Sequence, residues 1–154
     1  MPKLYILCGI PSSGKSTWAK GFLMDACYIS RDDIRFSMLK TGDDYFSHET
    51  EVYKEFIYEI SQALTHGYDV IADATHINES SRSKLTHAID KFFTNYQIVY
   101  VVFETPLKEC QMRNNNRSGF SHVPPVAIQT MYNRFSAPTL DEDSRAIDII
   151  KGSM

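Results

Sequence analysis

The chain alternates short, nearly unbroken apolar runs with longer segments in which apolar residues recur every third or fourth position. Short runs rich in β-branched and aromatic residues are typical of strands buried on both faces of a sheet. We predict five such strands, at residues 4–8, 26–29, 69–73, 97–103 and 146–150.

Segments with helical periodicity lie between these runs. The clearest spans residues 49–66, with acids at its start and Gly67 at its end, as the helix dipole and C-cap preferences favour. Thr105 and Pro106 predict another helix start, with the Thr105 hydroxyl as N-cap. The predicted helices are 16–24, 49–66 (burying Val52, Phe56, Ile60 and Leu64), one capped by Asn78 (burying Leu85, Ala88, Ile89 and Phe92), one from Thr105 to about Asn116, and one from Pro124 (burying Ile128, Met131, Tyr132 and Phe135).

Strands that alternate with helices predict an α/β fold. We expect one domain over residues 1–154, a three-layer sandwich in which helices cover both faces of a mostly parallel five-stranded sheet. In such folds ligands bind beyond the carboxyl ends of the strands. We expect the motifs described below to lie at those ends.

Composition and charge narrow the function classes. The 154 residues are 43% hydrophobic and 23% charged, and their net charge of −3 argues against a broad basic surface, so any contact with nucleic acid must lie in a cleft. Without a membrane span or the marks of a signal peptide, we expect a cytoplasmic protein without membrane contact. Three dispersed cysteines and five histidines predict neither a disulfide framework nor a zinc site.

Residues 9–16 match the phosphate-loop pattern G-x-x-x-x-G-K-[ST], between a predicted strand and a predicted helix. Glycines let successive backbone N–H groups turn towards an anion, and the helix N-terminus adds its positive end. Lys15 would neutralise the β- and γ-phosphates of ATP, and the Ser16 hydroxyl would bind Mg²⁺. The predicted nucleotide-binding residues of this loop are Gly9, Pro11, Ser12, Ser13, Gly14, Lys15, Ser16 and Thr17.

An acidic and basic cluster follows the second predicted strand, at residues 30–35. Asp32 or Asp33 could accept the proton of an attacking hydroxyl. Arg35, three residues beyond Asp32 on the same helical face, could hold that acid and bind an anion of the acceptor. The alternative is an N-cap with a surface ion pair.

Asp73 ends the third predicted strand, where an acid in P-loop proteins lies near the metal and can hold it through water. Thr75, His76 and Asn78 could then bind the acceptor. Turn and cap roles are the alternative for Asp73 and Asn78. We expect His76 to line the cleft or to be exposed rather than to shuttle protons.

Arg113 and Arg117 share a helical face and precede a polar loop that contains Gly119. A lid over about 113–123 could bring an arginine to the transferring phosphoryl group, and the alternative is a solvated cationic helix end. Elsewhere, six acids and one lysine between residues 43 and 59 predict a solvated face. Tyr45, Tyr53, Phe56 and Tyr58 predict helix packing, with one tyrosine available to stack on an acceptor base.

Together these motifs resemble the 5′-kinase domain of phage and bacterial polynucleotide kinases over nearly the whole chain. The resemblance is carried by residues 9–17 with Trp18, 30–35, 72–75, 103–106, 113–117 and 123–124. It implies a P-loop kinase fold with a helical lid, and transfer of the γ-phosphate of ATP, with Mg²⁺, to the 5′-hydroxyl end of DNA or RNA.

The same resemblance implies roles for single residues. Lys15 and Ser16 would hold phosphate and metal, and Asp32 would be the general base. Arg117, with Arg113, would contact the phosphates of ATP and stabilise the transferring group. Arg35 would bind the acceptor phosphate, and Asp73 would lie by the acceptor.

Several points stay open at this stage. The 154 residues leave no room for the phosphatase or ligase domains that often accompany such kinases, so end repair would need a separate partner. DNA or RNA preference and oligomeric state are not implied. A kinase of small molecules or nucleosides and a nucleotide-dependent switch without an acceptor are the alternative functions.

Overall fold

The predicted α/β sheet is present in the computed structural model of the protein, which describes residues 1–22 and 25–152. Five strands form one sheet in the order β2-β3-β1-β4-β5, and every pairing between neighbours is parallel. The strands are β1 (Lys3–Cys8), β2 (Cys27–Ser30), β3 (Val70–Asp73), β4 (Gln97–Val102) and β5 (Ala146–Lys151).

Helices connect the strands, as parallel pairing requires. They are α1 (Lys15–Gly21), α2 (Arg31–Met38), α3 (Glu49–Thr65), α4 (Glu79–Asp90), α5 (Leu107–Asn115) and α6 (Pro125–Arg134), with short 3₁₀ turns at Gly119–Ser121 and Leu140–Glu142. None of the helices described within residues 1–22 and 25–152 has both the length and the apolar character that a membrane crossing needs.

The alternation of side chains along β1 produces the three layers. Leu4 and Ile6 are buried in one core cluster together with Phe56 of α3, whereas Leu7 belongs to a second cluster with Ala19 of α1. Because successive side chains of a strand point to opposite faces, these two clusters lie on the two sides of the sheet. The predicted three-layer sandwich is therefore confirmed.

One predicted detail each of α1, α4 and α6 is wrong. The helix predicted at 16–24 ends at Gly21, because Phe22 is extended, and residues 23–24 lie outside the described residues. Phe92 is 64% exposed, because α4 ends at Asp90 and the helical periodicity ends with it. Tyr132 is 47% exposed, since α6 turns only its Ile128 side fully into the interior.

Candidate active site

A cavity of about 670 Å³ opens at the carboxyl edge of the sheet. Its walls come from the loop after β1, the beginnings of α1 and α2, the end of β3, and the connection between α5 and α6. Residues from all four predicted motifs line it: Lys15, Asp32, Asp73 and Arg117 are among them.

The loop after β1 has the backbone that the phosphate-loop motif predicts. Ser12 (φ 66°) and Gly14 (φ 102°) adopt left-handed conformations, which turn the chain sharply before α1. A side chain at Gly9 would not fit, because its Cβ would lie 2.5 Å from the Ser13 Oγ. The same loop is held from outside by Thr105, whose hydroxyl donates to the Ser13 carbonyl at 2.7 Å.

That contact corrects the predicted cap of α5. The N-cap residue is Pro106, with no side-chain cap, and the Thr105 hydroxyl is used by the phosphate loop instead. Thr105 is buried, so its hydroxyl needs a partner, and the Ser13 carbonyl is that partner. The residue type signals a cap in the sequence, but the neighbouring β1 loop decides where the hydroxyl bonds.

Lys15 spans the loop. Its ammonium donates to the carbonyl oxygens of Gly9 (3.0 Å) and Ile10 (2.8 Å). Burial lowers the pKa of Lys15, and the nearby negative charges of Asp73 and Asp32 oppose that effect. The lysine is therefore positioned at the loop, where an added phosphate anion would favour its charged form.

The donor set in the cavity fits ATP and Mg²⁺. The Ser12 hydroxyl is buried without a hydrogen-bond partner among the described residues, which is unusual for a polar group and suits a site for phosphate oxygens. Ser16 and Asp73, a hydroxyl and a carboxylate, both line the cavity and are the hard oxygen donors that Mg²⁺ prefers. Bound Mg²⁺ would supply charge neutralisation at the phosphate oxygens.

Asp32 faces the cavity from the first turn of α2 with its side chain 52% exposed. Arg35, which is only 5% exposed, donates through Nη1 to the Asp32 carboxylate. Its other side is fixed by Glu49, which accepts from Nε (2.7 Å) and Nη2 (2.8 Å) of Arg35. Ser30 caps α2 by accepting from the Asp33 N–H, so the predicted cap and the predicted Asp–Arg pair coexist.

Glu49 is the site residue that the sequence patterns missed. The acidic pattern of residues 43–59 predicts a solvated face, yet Glu49 also accepts a hydrogen bond from Arg31 at 3.1 Å and lines the cavity. Burial alone would raise the pKa of Glu49, but the hydrogen bonds and charge of Arg35 hold it below its ordinary value. Glu49 lies on a different helix from Arg35 and Asp32, so no spacing pattern in the sequence links it to them. Only the packing of α3 against α2 shows the contact.

Aromatic rings cover the same arginine. The Arg35 guanidinium lies 4.8 Å from the ring centroid of Tyr45 and 5.6 Å from that of Phe46. Both rings line the cavity, so Tyr45 lies in the site, whereas Phe56 is buried in the core and Tyr58 is 55% exposed. The predicted packing role is confirmed for Phe56 and Tyr53 and is wrong for Tyr58, whereas Tyr45 packs against a core cluster and also lines the cavity.

Asp73 and Thr75 also line the cavity, at the end of β3. Burial raises the pKa of Asp73, although the Lys15 charge lowers it. Tyr28, another residue that the sequence did not single out, donates its hydroxyl to the Asp73 carboxylate at 2.5 Å. This contact restrains the orientation of the Asp73 carboxylate.

Asn78 and His76 lie away from the cavity. Asn78 accepts from the Ser81 N–H and forms a capping box on α4, the alternative that the sequence left open. His76 is buried rather than lining the cleft, and its Nδ1–H donates to the Leu7 carbonyl at 2.7 Å. Burial lowers the pKa of His76 to about 3, so its ring is neutral.

The two arginines of the predicted lid have different surroundings. Arg113, on α5, donates to the Ser12 carbonyl at 3.2 Å and to Glu109 at 2.7 Å. Arg117 follows α5 and lines the same cavity as Asp32 and Arg35. Arg113 is thus joined to the phosphate loop directly, and Arg117 reaches the cavity from the connection before α6.

The chain is similar to known proteins in sequence and in fold. A family model described as an AAA domain matches residues 4–138. The chain is 34% identical over 142 residues to L-seryl-tRNA(Sec) kinase of Methanococcus maripaludis, a match that covers 88% of this chain and 53% of that protein. It is 27% identical over 151 residues to an Autographa californica nuclear polyhedrosis virus protein that carries the name bifunctional polynucleotide kinase/RNA ligase, over 86% of this chain and 21% of that protein.

Solved structures of an RNA repair complex are similar in both sequence and fold. A chain of the Pnkp1/Rnl/Hen1 RNA repair complex has a TM-score of 0.70 and 28% identity, over 86% of this chain and 43% of that chain. This chain therefore spans 53% or less of the length of each of the three proteins.

Proposed function

We propose that this chain, which belongs to the AAA-domain family and has a P-loop kinase fold, catalyses phosphoryl transfer. The proposed reaction moves the γ-phosphate of ATP to the 5′-hydroxyl end of a DNA or RNA strand. One observation carries it: a half-exposed carboxylate, Asp32, shares a cavity with Lys15 and Ser16 and is held there by a buried arginine. A site that only bound nucleotide would have no need of that acid.

The residues divide the reaction between them. Backbone N–H groups of the phosphate loop and Lys15 hold the β- and γ-phosphates of ATP, and the Ser16 hydroxyl and Asp73 would hold Mg²⁺. Asp32 accepts the proton of the acceptor hydroxyl, whose oxygen forms a bond to the γ-phosphorus as the bridging bond to ADP breaks. Proton acceptance by a positioned carboxylate contributes about 10²–10⁴-fold to a rate. Arg117 balances the charge on the transferring group.

The identity of the acceptor rests on the similar proteins. Two of them are named for polynucleotide kinase activity or for RNA repair, which supports a strand end. The 34% identical protein is named a kinase of L-seryl-tRNA(Sec), which favours a second candidate, the hydroxyl of a seryl group on tRNA. A 5′-hydroxyl and a seryl hydroxyl are both primary alcohols carried on nucleic acid, so one base at Asp32 serves either.

Transfer of label from γ-labelled ATP tests the proposal. DNA and RNA oligonucleotides with 5′-hydroxyl ends, seryl-tRNA, and a panel of sugars and nucleosides are compared side by side. We expect label on the oligonucleotides. Label on seryl-tRNA alone supports the second candidate, label on small molecules alone indicates a small-molecule kinase, and hydrolysis without any labelled acceptor indicates a nucleotide-dependent switch.

Substitution of the two neighbouring acids tests the mechanism. Asp32→Ala should lower transfer by about 10²-fold or more while nucleotide binding persists. Asp33→Ala is the matched control, because both acids line the cavity but Arg35 donates to the carboxylate of Asp32. Equal transfer by the two variants would remove Asp32 from the mechanism. Any phosphatase or ligase that completes end repair would be sought by copurification with the active protein.

A further inference from the structure

Three asparagines follow one another at the end of α5, and the structure separates them. Asn114 is 1% exposed, whereas Asn115 and Asn116 are exposed. An amide side chain buried to this degree needs partners for both its donor and its acceptor. Asn114 is therefore the one of the three with a specific task.

The Asn114 amide bonds to both backbone groups of one residue across the loop. Its Nδ2 donates to the Val123 carbonyl at 2.8 Å, and its Oδ1 accepts from the Val123 N–H at 2.9 Å. Val123 is 1% exposed and lies outside the sheet, so no strand neighbour satisfies those groups. An amide has the required donor and acceptor on two separate atoms, while an ionised carboxylate has no donor.

The two hydrogen bonds between Asn114 and Val123 form a clamp, and its Val123 end packs against the phosphate loop. The side chain of Val123 packs in a small apolar cluster with Ile10, Cys110 and Ile128. Ile10 is the second residue of the phosphate loop, and its carbonyl accepts from Lys15. The clamp thus fixes the returning chain at a point next to the phosphate-binding backbone.

We propose that Asn114 is a positioning residue for phosphoryl transfer. By joining positions 114 and 123, it closes residues 115–122 into a loop with fixed ends. Arg117 lies three residues after the first end and Ser121 two residues before the second, and both line the cavity. The clamp therefore determines where the Arg117 guanidinium meets the phosphates, and this role rests on the proposed function.

A double-mutant cycle tests the link between Asn114 and Arg117. Asn114→Ala should lower kcat roughly 10- to 100-fold by displacing Arg117, with the KM of the acceptor within about twofold of wild type. Arg117→Ala should lower kcat about 10³-fold. The kcat of the double variant should be within about threefold of that of Arg117→Ala. Loss of Asn114 acts by displacing Arg117, so it has little further effect once Arg117 is absent. Asn115→Ala, the exposed neighbour, is the control and should stay within about twofold of wild type.

A second readout does not depend on the acceptor. Trypsin cleaves after arginine, so the rate of cleavage at Arg117 in the folded protein reports the order of the loop. Cleavage should be faster in Asn114→Ala and Asn114→Asp than in wild type and Asn115→Ala. The aspartate variant keeps an acceptor for the Val123 N–H and loses the donor to its carbonyl, so it remains informative if the alanine variant does not fold.

Two results would overturn the proposal: kcat losses of Asn114→Ala and Arg117→Ala that multiply in the double variant, or Arg117 cleavage that is unchanged in the Asn114 variants. A wild-type protein that labels no acceptor would instead contradict the proposed function. The trypsin comparison then still decides whether the clamp orders the loop.

Discussion

Burial decides the charge of His76, which lies against the ring of Phe56 and beside β1. Its backbone is left-handed (φ 40°), a conformation that asparagine tolerates better than most residues. A pKa of about 3 in the folded protein keeps the ring neutral at pH 7 and at pH 5. The unfolded chain, with a pKa near 6.5, takes up a proton between those values.

This difference predicts a pH effect on stability. Because the unfolded state alone binds the proton, His76 makes the folded state lose about 2 kcal/mol as the pH falls from 7 to 5. In His76→Asn that loss is absent, so the free energy of unfolding of the variant relative to wild type should improve by about 2 kcal/mol over the same interval. Denaturant titrations at both pH values measure it. His66→Asn, at an exposed position, controls for loss of a histidine, and an unchanged gap between His76→Asn and wild type would contradict the prediction.

Glu49 determines the orientation of Arg35 and, through it, of Asp32. Glu49→Gln removes the charged partner of two Arg35 hydrogen bonds, so the guanidinium can turn towards Asp32 and shift the base. We expect kcat for transfer to fall about tenfold or more with the KM for ATP unchanged. Glu51→Gln, on the same first turn of α3 and exposed, is the control. Equal kcat values for Glu49→Gln and Glu51→Gln in steady-state kinetics would exclude the positioning role of Glu49.

At the scale of elements, the cap of α4 separates a structural from a substrate-binding role for Asn78. Asn78→Ala should lower the free energy of unfolding by about 1 kcal/mol, because the Ser81 N–H loses its acceptor. The KM of the acceptor should stay within about twofold, since Asn78 lies outside the cavity lining. Asn78→Asp, which keeps the oxygen, should retain most of the stability. If Asn78→Ala raised the KM of the acceptor and left the free energy of unfolding unchanged, Asn78 would be a substrate-binding residue.

Most elements could be predicted from the sequence because each carries a local signal. The apolar runs of β1 and β4 and the four-residue spacing of α3 lie in the sequence itself, and the structure agrees with them to within a residue or two. The phosphate loop is equally local, since one motif contains its glycines, lysine and serine. These signals fail at element ends, as at Phe92, where one further turn of helix decides burial.

Contacts between distant segments could not be predicted in the same way. Thr105 bonds to Ser13 across 92 positions, and Glu49 reaches Arg35 across 14. Each residue type permits several partners, and only the packing of elements selects one. The sequence therefore predicts the motifs of the candidate site, but it does not predict the residues that hold those motifs in place.

At the scale of the whole molecule, a buried ion pair joins the middle of the chain to its last segment. Arg82 on α4 and Glu142, with side chains 2% and 6% exposed, form two hydrogen bonds of 2.9 Å. Arg82 also donates to the carbonyls of His76 and Ser136. The pair therefore ties α4, the loop after β3 and the approach to β5 into one unit.

Breaking this pair should destabilise the whole fold. Glu142→Gln leaves the buried Arg82 charge uncompensated, and we expect the free energy of unfolding to fall by about 3 kcal/mol or more. Asp141→Asn, at the exposed neighbouring position, should change it by less than about 0.5 kcal/mol. Chemical denaturation of both variants measures the difference. Equal stability of the two would show that the Arg82 charge finds solvent or another acceptor.

The position of β3 between β1 and β2 has a consequence for reach. Hydrogen-bonded strands lie about 4.8 Å apart, so the end of β1, which begins the phosphate loop, is roughly 10 Å from the end of β2, which begins the helix of Asp32. Asp73, on β3, marks the midpoint. Backbone hydrogen bonds set this spacing, so the distance from the phosphate loop to Asp32 does not depend on the side chains of the cavity walls. Substitutions in those walls can therefore change which alcohol is accepted while that distance stays constant.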